Sequence, residues 1–104
     1  MVFWNLKTTR LEAFKPGIMS RAEIGVNLVM VYMEIDPGRE DTGHEHPFDQ
    51  VGVILEGRME MFVGAERKVL DRGDAYFIAS GQRHGWRTFN QKVKLLDVSQ
   101  TQKR

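Results

Sequence analysis

The sequence contains no cysteine, and it also lacks the long runs that mark several protein classes. Without cysteine, a disulfide framework and a thiolate site are both excluded. No apolar run approaches the roughly 18–20 residues of a membrane helix, and no Lys or Arg run suggests a phosphate-binding stripe. The first residues show no charged lead before a long apolar stretch, so we expect no signal peptide. We therefore expect a cytoplasmic protein that binds neither membranes nor nucleic acids.

The composition is that of an ordinary globular protein. The chain has 104 residues, of which 41% are hydrophobic and 28% charged, and its formal net charge is +1. This length suits one domain, and the composition argues against a disordered chain. We predict a single domain over residues 1–104, with an N-terminal segment at 1–25 and the core of the fold at 26–98.

Glycine and proline interrupt the chain at short intervals, and no long stretch has a helical period. Between these turn signals lie segments rich in β-branched and aromatic residues, which predict seven or eight short strands. The clearest cover residues 28–35, 51–55, 59–63, 68–70, 75–78, 84–88 and 93–98. Such spacing is typical of an antiparallel sandwich or barrel. Residues 8–12 are less readable: they either cap a short helical turn or form an edge strand.

All three histidines lie in two compact segments bounded by glycines. His44 and His46 are two apart, so on a strand both imidazoles face one side and can converge on one ion. Gln50 has the same parity and could add an oxygen, while His84 can bring a third imidazole from a distant strand. Three imidazoles and one oxygen suit a divalent first-row metal, with positions left open for water or substrate.

Other side chains near the histidines leave alternatives open. Asp41 could compete as a ligand, whereas Glu45 and Asp49 have the wrong parity if that strand is regular. Trp86 shares the parity of His84. It therefore either lines the pocket, where it could stack on a sugar ring, or simply fills the interior.

The two histidine segments resemble the paired motifs of small single-domain cupins. The first motif runs glycine, five residues, His-x-His, three or four residues, a carboxylate, six residues, glycine. It is matched by Gly38, His44, His46, Gln50 and Gly57, with glutamine where glutamate is usual. The second motif is matched by Gly73, Gly81 and His84, and its proline and asparagine are replaced by Ala79 and Thr88.

The cupin resemblance implies an all-β fold, a jelly-roll barrel also described as a double-stranded β-helix. It implies one divalent transition metal inside the barrel, which could be nickel, zinc, iron, manganese or cobalt, and commonly a homodimer. The implied ligands are His44, His46, Gln50 and His84. Because glutamine does not cancel a positive charge as glutamate would, the site stays close to the full +2 of the metal. This charge favours an anionic guest.

A narrower resemblance is to the cupins of pectin degradation, which open the ring of unsaturated uronates released from pectin and alginate. It rests on the segments 44–52, 55–57, 73–76, 84–85 and 96–98. It implies Asp97 as an acid/base near the metal, although an aspartate near a strand end is ordinarily exposed. It further implies an aromatic residue and an arginine where this chain has Ser99 and Lys103. Lys103 could offer a substrate carboxylate a point charge, without a bidentate fork.

The expected function is a metal-dependent enzyme of lyase or isomerase type that acts on a small anionic carbohydrate such as an unsaturated uronate. Two alternatives stay open. A three-histidine site can also bind iron and dioxygen, which predicts an oxygenase. The third hypothesis is a non-catalytic cupin that only binds a ligand. Activity without oxygen favours the first hypothesis over the second, and metal without turnover across a broad panel favours the third.

Overall fold

The computed structural model describes residues 3–101, and among these it contains strands and turns but no helix. The strands are β1 (Glu12–Lys15), β2 (Ile18–Ile24), β3 (Leu28–Ile35), β4 (Glu40–His44), β5 (Gln50–Glu56), β6 (Met59–Val63), β7 (Glu66–Leu70), β8 (Ala75–Ile78), β9 (His84–Thr88) and β10 (Val93–Gln100). They form two antiparallel sheets, ordered β1-β2-β3-β10-β5-β8 and β4-β9-β6-β7. Within this range, no helix is long and apolar enough to cross a membrane.

The predicted strands are confirmed, with small changes at their ends, and three further strands join them. β1 and β2 lie within the segment at 1–25, and β2 pairs with β3 along its whole length. Each interpretation of residues 8–12 describes only part of the structure. The amides of residues 8 and 9 donate to the Asn5 carbonyl in a single turn, and the edge strand β1 begins only at Glu12. The third unpredicted strand, β4, ends at His44.

The core lies between the two sheets, and alternation along the strands decides what enters it. Along β10, Val93, Leu95 and Asp97 are buried, whereas the residues between them are only partly covered. Successive strand side chains point to opposite faces, so Asp97 shares the inner face with the apolar core. The buried apolar cluster comprises Ile18, Ile35, Ile54, Met59, Met61, Leu70, Ile78, Val93 and Leu95. The interior is therefore apolar, with an aspartate placed in its wall by strand register.

The turn between β5 and β6 provides a test of this packing. Gly57 has φ +86°, and a Cβ there would lie 2.4 Å from the Lys92 carbonyl oxygen. Gly57→Ala should lower the free energy of unfolding by about 2–4 kcal/mol, because backbone strain and a backbone clash act together. Gly73→Ala is the matched control, since Gly73 has φ +89° but nothing within 4 Å of such a Cβ. It should cost only about 1–2 kcal/mol. Equal losses in urea denaturation would show that the Lys92 contact is unimportant.

Candidate metal centre

Three histidine side chains meet at one cavity of the barrel. His44 ends β4 and is the register partner of His84, which begins β9, so their rings are cross-strand neighbours with centroids 4.2 Å apart. The ring centroid of His46 is 4.6 Å from that of His44 and 5.3 Å from that of His84. One ring nitrogen from each histidine lies within 4.8 Å of the others. This grouping is compact enough to hold one metal ion.

The histidines converge by a different route from the one that parity predicts. The regular strand ends at His44, and residues 45–49 cross from the smaller sheet to the larger one before Gln50 begins β5. His46 therefore lies in a connecting segment, where its ring stacks on Phe48 at 4.6 Å and 10°. Strand parity does not apply to this segment, because a chain that changes sheets cannot keep one strand's alternation. In the same segment, Oδ1 of Asp49 accepts a hydrogen bond from the backbone amide of Ser80 at 2.9 Å.

Hydrogen bonds orient two of the three imidazoles. Nδ1 of His84 lies 3.0 Å from the Gln82 carbonyl oxygen and donates to it, so Nε2 is the acceptor when the ring is neutral. Nδ1 of His44 lies 3.0 Å from Oδ2 of Asp41. Asp41, which the sequence left as a competing ligand, thus contacts the His44 ring through its carboxylate. A carboxylate or carbonyl behind a histidine is the usual support of a metal-binding imidazole.

Gln50, Asp97 and Tyr76 form a partly buried hydrogen-bond network beside the histidines. Nε2 of Gln50 donates to Oδ2 of Asp97 at 2.8 Å, and the Tyr76 hydroxyl donates to the same oxygen. Oε1 of Gln50 and Nε2 of His84 are buried and have no hydrogen-bond partner among the residues that the structure describes. Buried polar atoms are normally paired, so these two acceptors fit a cation. The donor set of three imidazoles and an amide oxygen also suits a divalent transition metal.

The electrostatics of the cavity follow from burial. Burial, followed by the neighbouring His44 and His84, lowers the pKa of His46, which favours the neutral imidazole that metals bind. Burial also raises the pKa of Asp97, against the opposing effects of Tyr76, Gln50 and His84. For Asp41, burial is outweighed by the Gly43 amide and His44, and its pKa falls below the ordinary value. The protein therefore disfavours the charged form of the Asp97 carboxyl group.

The cavity has a volume of about 900 Å³ and contains the three histidines, Gln50 and Asp97 in its lining. Its walls are largely apolar, and they include Val31, Met33, Met59, Met61, Trp86 and Leu95. Trp86 both lines this cavity and packs against the core, which combines the two roles that the sequence offered it. Ser99 is also in the lining, while the predicted Lys103 lies outside the described residues.

Three residues that the sequence analysis did not single out belong to this cavity. Lys15 and Arg39 add cationic side chains to its lining, and Tyr76 contacts Asp97. Lys15 and Arg39 carry no local pattern that points inward, because one precedes a turn and the other follows one. Tyr76 had a fainter signal, because it ends the segment 73–76 that resembles the pectin-degradation cupins.

The fold and the cavity together are those of a cupin. Two antiparallel sheets enclose a His-x-His pair, a third histidine and a glutamine. Residues 31–99 match the cupin domain family of the Cupin_2 type, and the chain belongs to that family. The match contains all four predicted metal ligands and Asp97. The expected all-β jelly-roll fold is confirmed.

Among curated proteins, the chain is similar to pectin degradation protein KdgF of Dickeya dadantii (strain 3937), with 29% identity over 73 residues. That match covers 69% of this chain and 66% of the relative. The chain is also 39% identical over 54 residues to tetracenomycin polyketide synthase protein TcmJ of Streptomyces glaucescens. That match covers 51% of this chain and 36% of TcmJ. Among solved structures, that of KdgF from Halomonas sp. superposes on this chain with a TM-score of 0.83 and 24% sequence identity. The superposition covers 91% of this chain and 90% of the Halomonas chain.

Proposed function

We propose that this chain is a metal-dependent cupin enzyme that opens the ring of a small unsaturated uronate. The observation that carries the proposal is the grouping of three histidine nitrogens within 4.8 Å of one another in a cavity that also contains Asp97. The similarity to pectin degradation protein KdgF supports the choice of substrate class. A dimer, as is common in cupins, is part of the proposal.

In this proposal His44, His46, His84 and the Gln50 side-chain oxygen hold one divalent ion. The two buried acceptors without a partner, Oε1 of Gln50 and Nε2 of His84, support the assignment. A bound ion would supply Lewis acidity, which stabilises negative charge developing on a substrate oxygen. Because the amide of Gln50 is neutral, this positive field is not reduced by a ligand charge.

The protein side chains then need to bind the acid and move one proton. In ring opening, the hemiacetal hydroxyl loses its proton and becomes a carbonyl, while the bond from that carbon to the ring oxygen breaks. The bonding electrons remain on the ring oxygen as an enolate, which takes up a proton to reach the keto form. In this proposal Asp97 accepts and returns the proton. Both of its hydrogen bonds in the network use Oδ2 and leave Oδ1 outside that pair, which supports this role.

The substrate carboxylate needs a cationic partner. Lys103 keeps the role that the family resemblance implies, and Lys15 and Arg39 are two further candidates because they line the cavity. Arg39 can bind a carboxylate with two parallel hydrogen bonds, which lysine cannot do. Trp86 offers the aromatic surface on which a sugar ring could stack, in place of the aromatic residue that Ser99 replaces.

A chelator experiment tests the proposal. Metal-loaded protein should accelerate the loss of the conjugated enol-ether absorbance of an unsaturated uronate. Chelation should return the rate to the spontaneous value, and added divalent ion should restore it, because the charge on the ring oxygen is no longer stabilised without the ion. Performing the assay without oxygen separates ring opening from oxygenase chemistry. A metal-loaded protein that shows only the spontaneous rate would refute the uronate assignment.

A second candidate function is conversion of a larger, mainly apolar substrate at the same metal centre. The cavity of about 900 Å³ is near the upper end of ordinary small-molecule sites and has many apolar side chains in its walls. The 39% identity to a polyketide synthase protein points in the same direction. Assaying a set of aromatic polyketides beside the uronate compares the two candidates, since turnover of the polyketides alone would favour this one.

A further inference from the structure

Asp97, Gly52 and Tyr76 form a row across three neighbouring strands of the larger sheet. Asp97 of β10 is the register partner of Gly52 in β5, and Gly52 is the partner of Tyr76 in β8. Residues paired in this way share one face of the sheet. The glycine between the two polar residues leaves a gap of two strand spacings, about 10 Å, that the long tyrosine side chain can span.

Position 52 needs a glycine because the Tyr76 side chain leaves no space for a Cβ, and not because of its backbone conformation. It is absent from the seven glycines with positive φ in the described range, so a residue with a side chain could adopt its backbone. A Cβ at this position would nevertheless lie 2.2 Å from both Cζ and the hydroxyl oxygen of Tyr76. The phenol therefore lies directly over Gly52, and any other residue would displace it.

The Tyr76 hydroxyl donates a hydrogen bond to Asp97 and stays protonated. Burial, together with the adjacent Asp97, raises the pKa of Tyr76 far above its ordinary value, so the hydroxyl keeps its proton. It donates to Oδ2 of Asp97, and the same oxygen accepts Nε2 of Gln50 at 2.8 Å. Because a carboxylate oxygen accepts hydrogen bonds, Gln50 must present its nitrogen to Asp97 and turn its oxygen to the other side.

We propose that Tyr76 is a positioning residue for the metal centre. By anchoring the Asp97 carboxylate it holds the Gln50 amide in the orientation that makes Oε1 a ligand, and Gly52 provides the space for it to do so. The inference rests on the metal-binding part of the proposed function and is independent of the substrate. Tyr76 itself is neither a ligand of the ion nor in contact with the reacting atoms.

Tyr76→Phe removes the hydroxyl and keeps the ring. Titration with Co²⁺ against a chromophoric chelator should show an affinity about 10- to 100-fold weaker than that of the unaltered protein, which is the usual effect of losing a residue that supports a metal ligand. The visible spectrum of bound Co²⁺ should also change, because the amide oxygen is held less firmly. Tyr32→Phe is the matched control: Tyr32 is 2% exposed, and its hydroxyl donates to Glu34 instead of to the metal site. It should leave affinity and spectrum unchanged.

Gly52→Ala tests the same contact from the other side. It should weaken Co²⁺ binding about as much as Tyr76→Phe, and the double variant should lose little more than either single one, since both act through one hydrogen bond. In metal-free protein, the side-chain amide signal of Gln50 in a ¹H–¹⁵N spectrum should shift in Tyr76→Phe and stay in place in Tyr32→Phe.

The outcomes separate this inference from the choice of substrate. A Tyr76→Phe protein with unaltered Co²⁺ affinity and spectrum, or an equal loss in Tyr32→Phe, overturns the positioning role. An unmoved Gln50 amide signal in metal-free protein also overturns it. If uronate turnover fails while Tyr76→Phe weakens Co²⁺ binding selectively, the uronate proposal falls and the positioning role stands.

Discussion

Replacing His46 and His84 together by alanine is expected to remove the metal from the protein. The unaltered chain should be isolated with about one divalent ion per chain, and the double variant should retain about a tenth of that or less. Only His44 and Gln50 would remain, fewer than the three protein ligands that a catalytic site usually has. Losing a mere supporting residue typically costs 10–100-fold in metal affinity, so losing two ligands should cost more. Elemental analysis of untagged protein measures the difference.

The control for this experiment is Arg87→Ala. Arg87 lies on the same strand as His84, but its side chain binds Glu60 at 2.7 Å on the other face of the sheet, so metal content should not change. His84 is 3% exposed and its loss could disturb folding, whereas His46 lies in a connecting segment. His46→Ala alone should therefore also lose metal, and its thermal transition should match that of the unaltered chain after metal removal. Equal metal content in the unaltered chain and the double variant would exclude this site.

Replacing Asp97 by asparagine is expected to slow uronate ring opening by about 10²- to 10⁴-fold, the usual contribution of general acid–base catalysis. Asparagine has nearly the shape of aspartate, and its side-chain oxygen can accept the hydrogen bonds from Tyr76 and Gln50. The network and the metal should therefore persist while the proton carrier is lost. Metal content and ring-opening rate, measured on the same preparation, show the two effects separately.

Ser99→Ala provides a matched change for this second prediction. Ser99 lies two residues further along β10 and also lines the cavity, but it has no place in the proposed proton transfer. Its variant should keep most of the rate. Ring opening that survives in Asp97→Asn would preserve the reaction and remove Asp97 as the proton carrier. A loss of metal in Asp97→Asn would instead assign the effect to the support of Gln50.

The candidate metal ligands could be chosen from sequence because a metal site repeats both residue type and spacing. The His44–His46 pair, Gln50 and His84 stand in a pattern that includes every histidine of the chain, and the structure brings the three imidazoles together. The geometric reason was only partly right. His44 meets His84 through strand pairing, whereas His46 is placed by a segment that crosses between the sheets. Parity holds along one strand, and it is lost where the chain leaves that strand.

Asp97 shows how register decides the meaning of a residue. Near the end of a predicted strand it would ordinarily be exposed, yet β10 runs on to Gln100 and holds Asp97 in its interior, 6% exposed. The extension is supported by pairing with β3 on one side and β5 on the other. A residue's distance from the end of a strand thus depends on its partners, which local sequence does not specify.

Local sequence patterns were enough to predict the strand-rich fold, the turns between most strands and the residue types of the candidate metal centre. These follow from side-chain alternation, from glycine and proline, and from the short spacing of the histidines, all of which are local. Two contacts became visible only in the folded chain: Asp41 contacts His44, and Tyr76 reaches Asp97 across Gly52. The same is true of Lys15 and Arg39, which line the cavity. These contacts depend on how the sheets pair and face each other, because strand pairing brings together residues that are far apart in the chain.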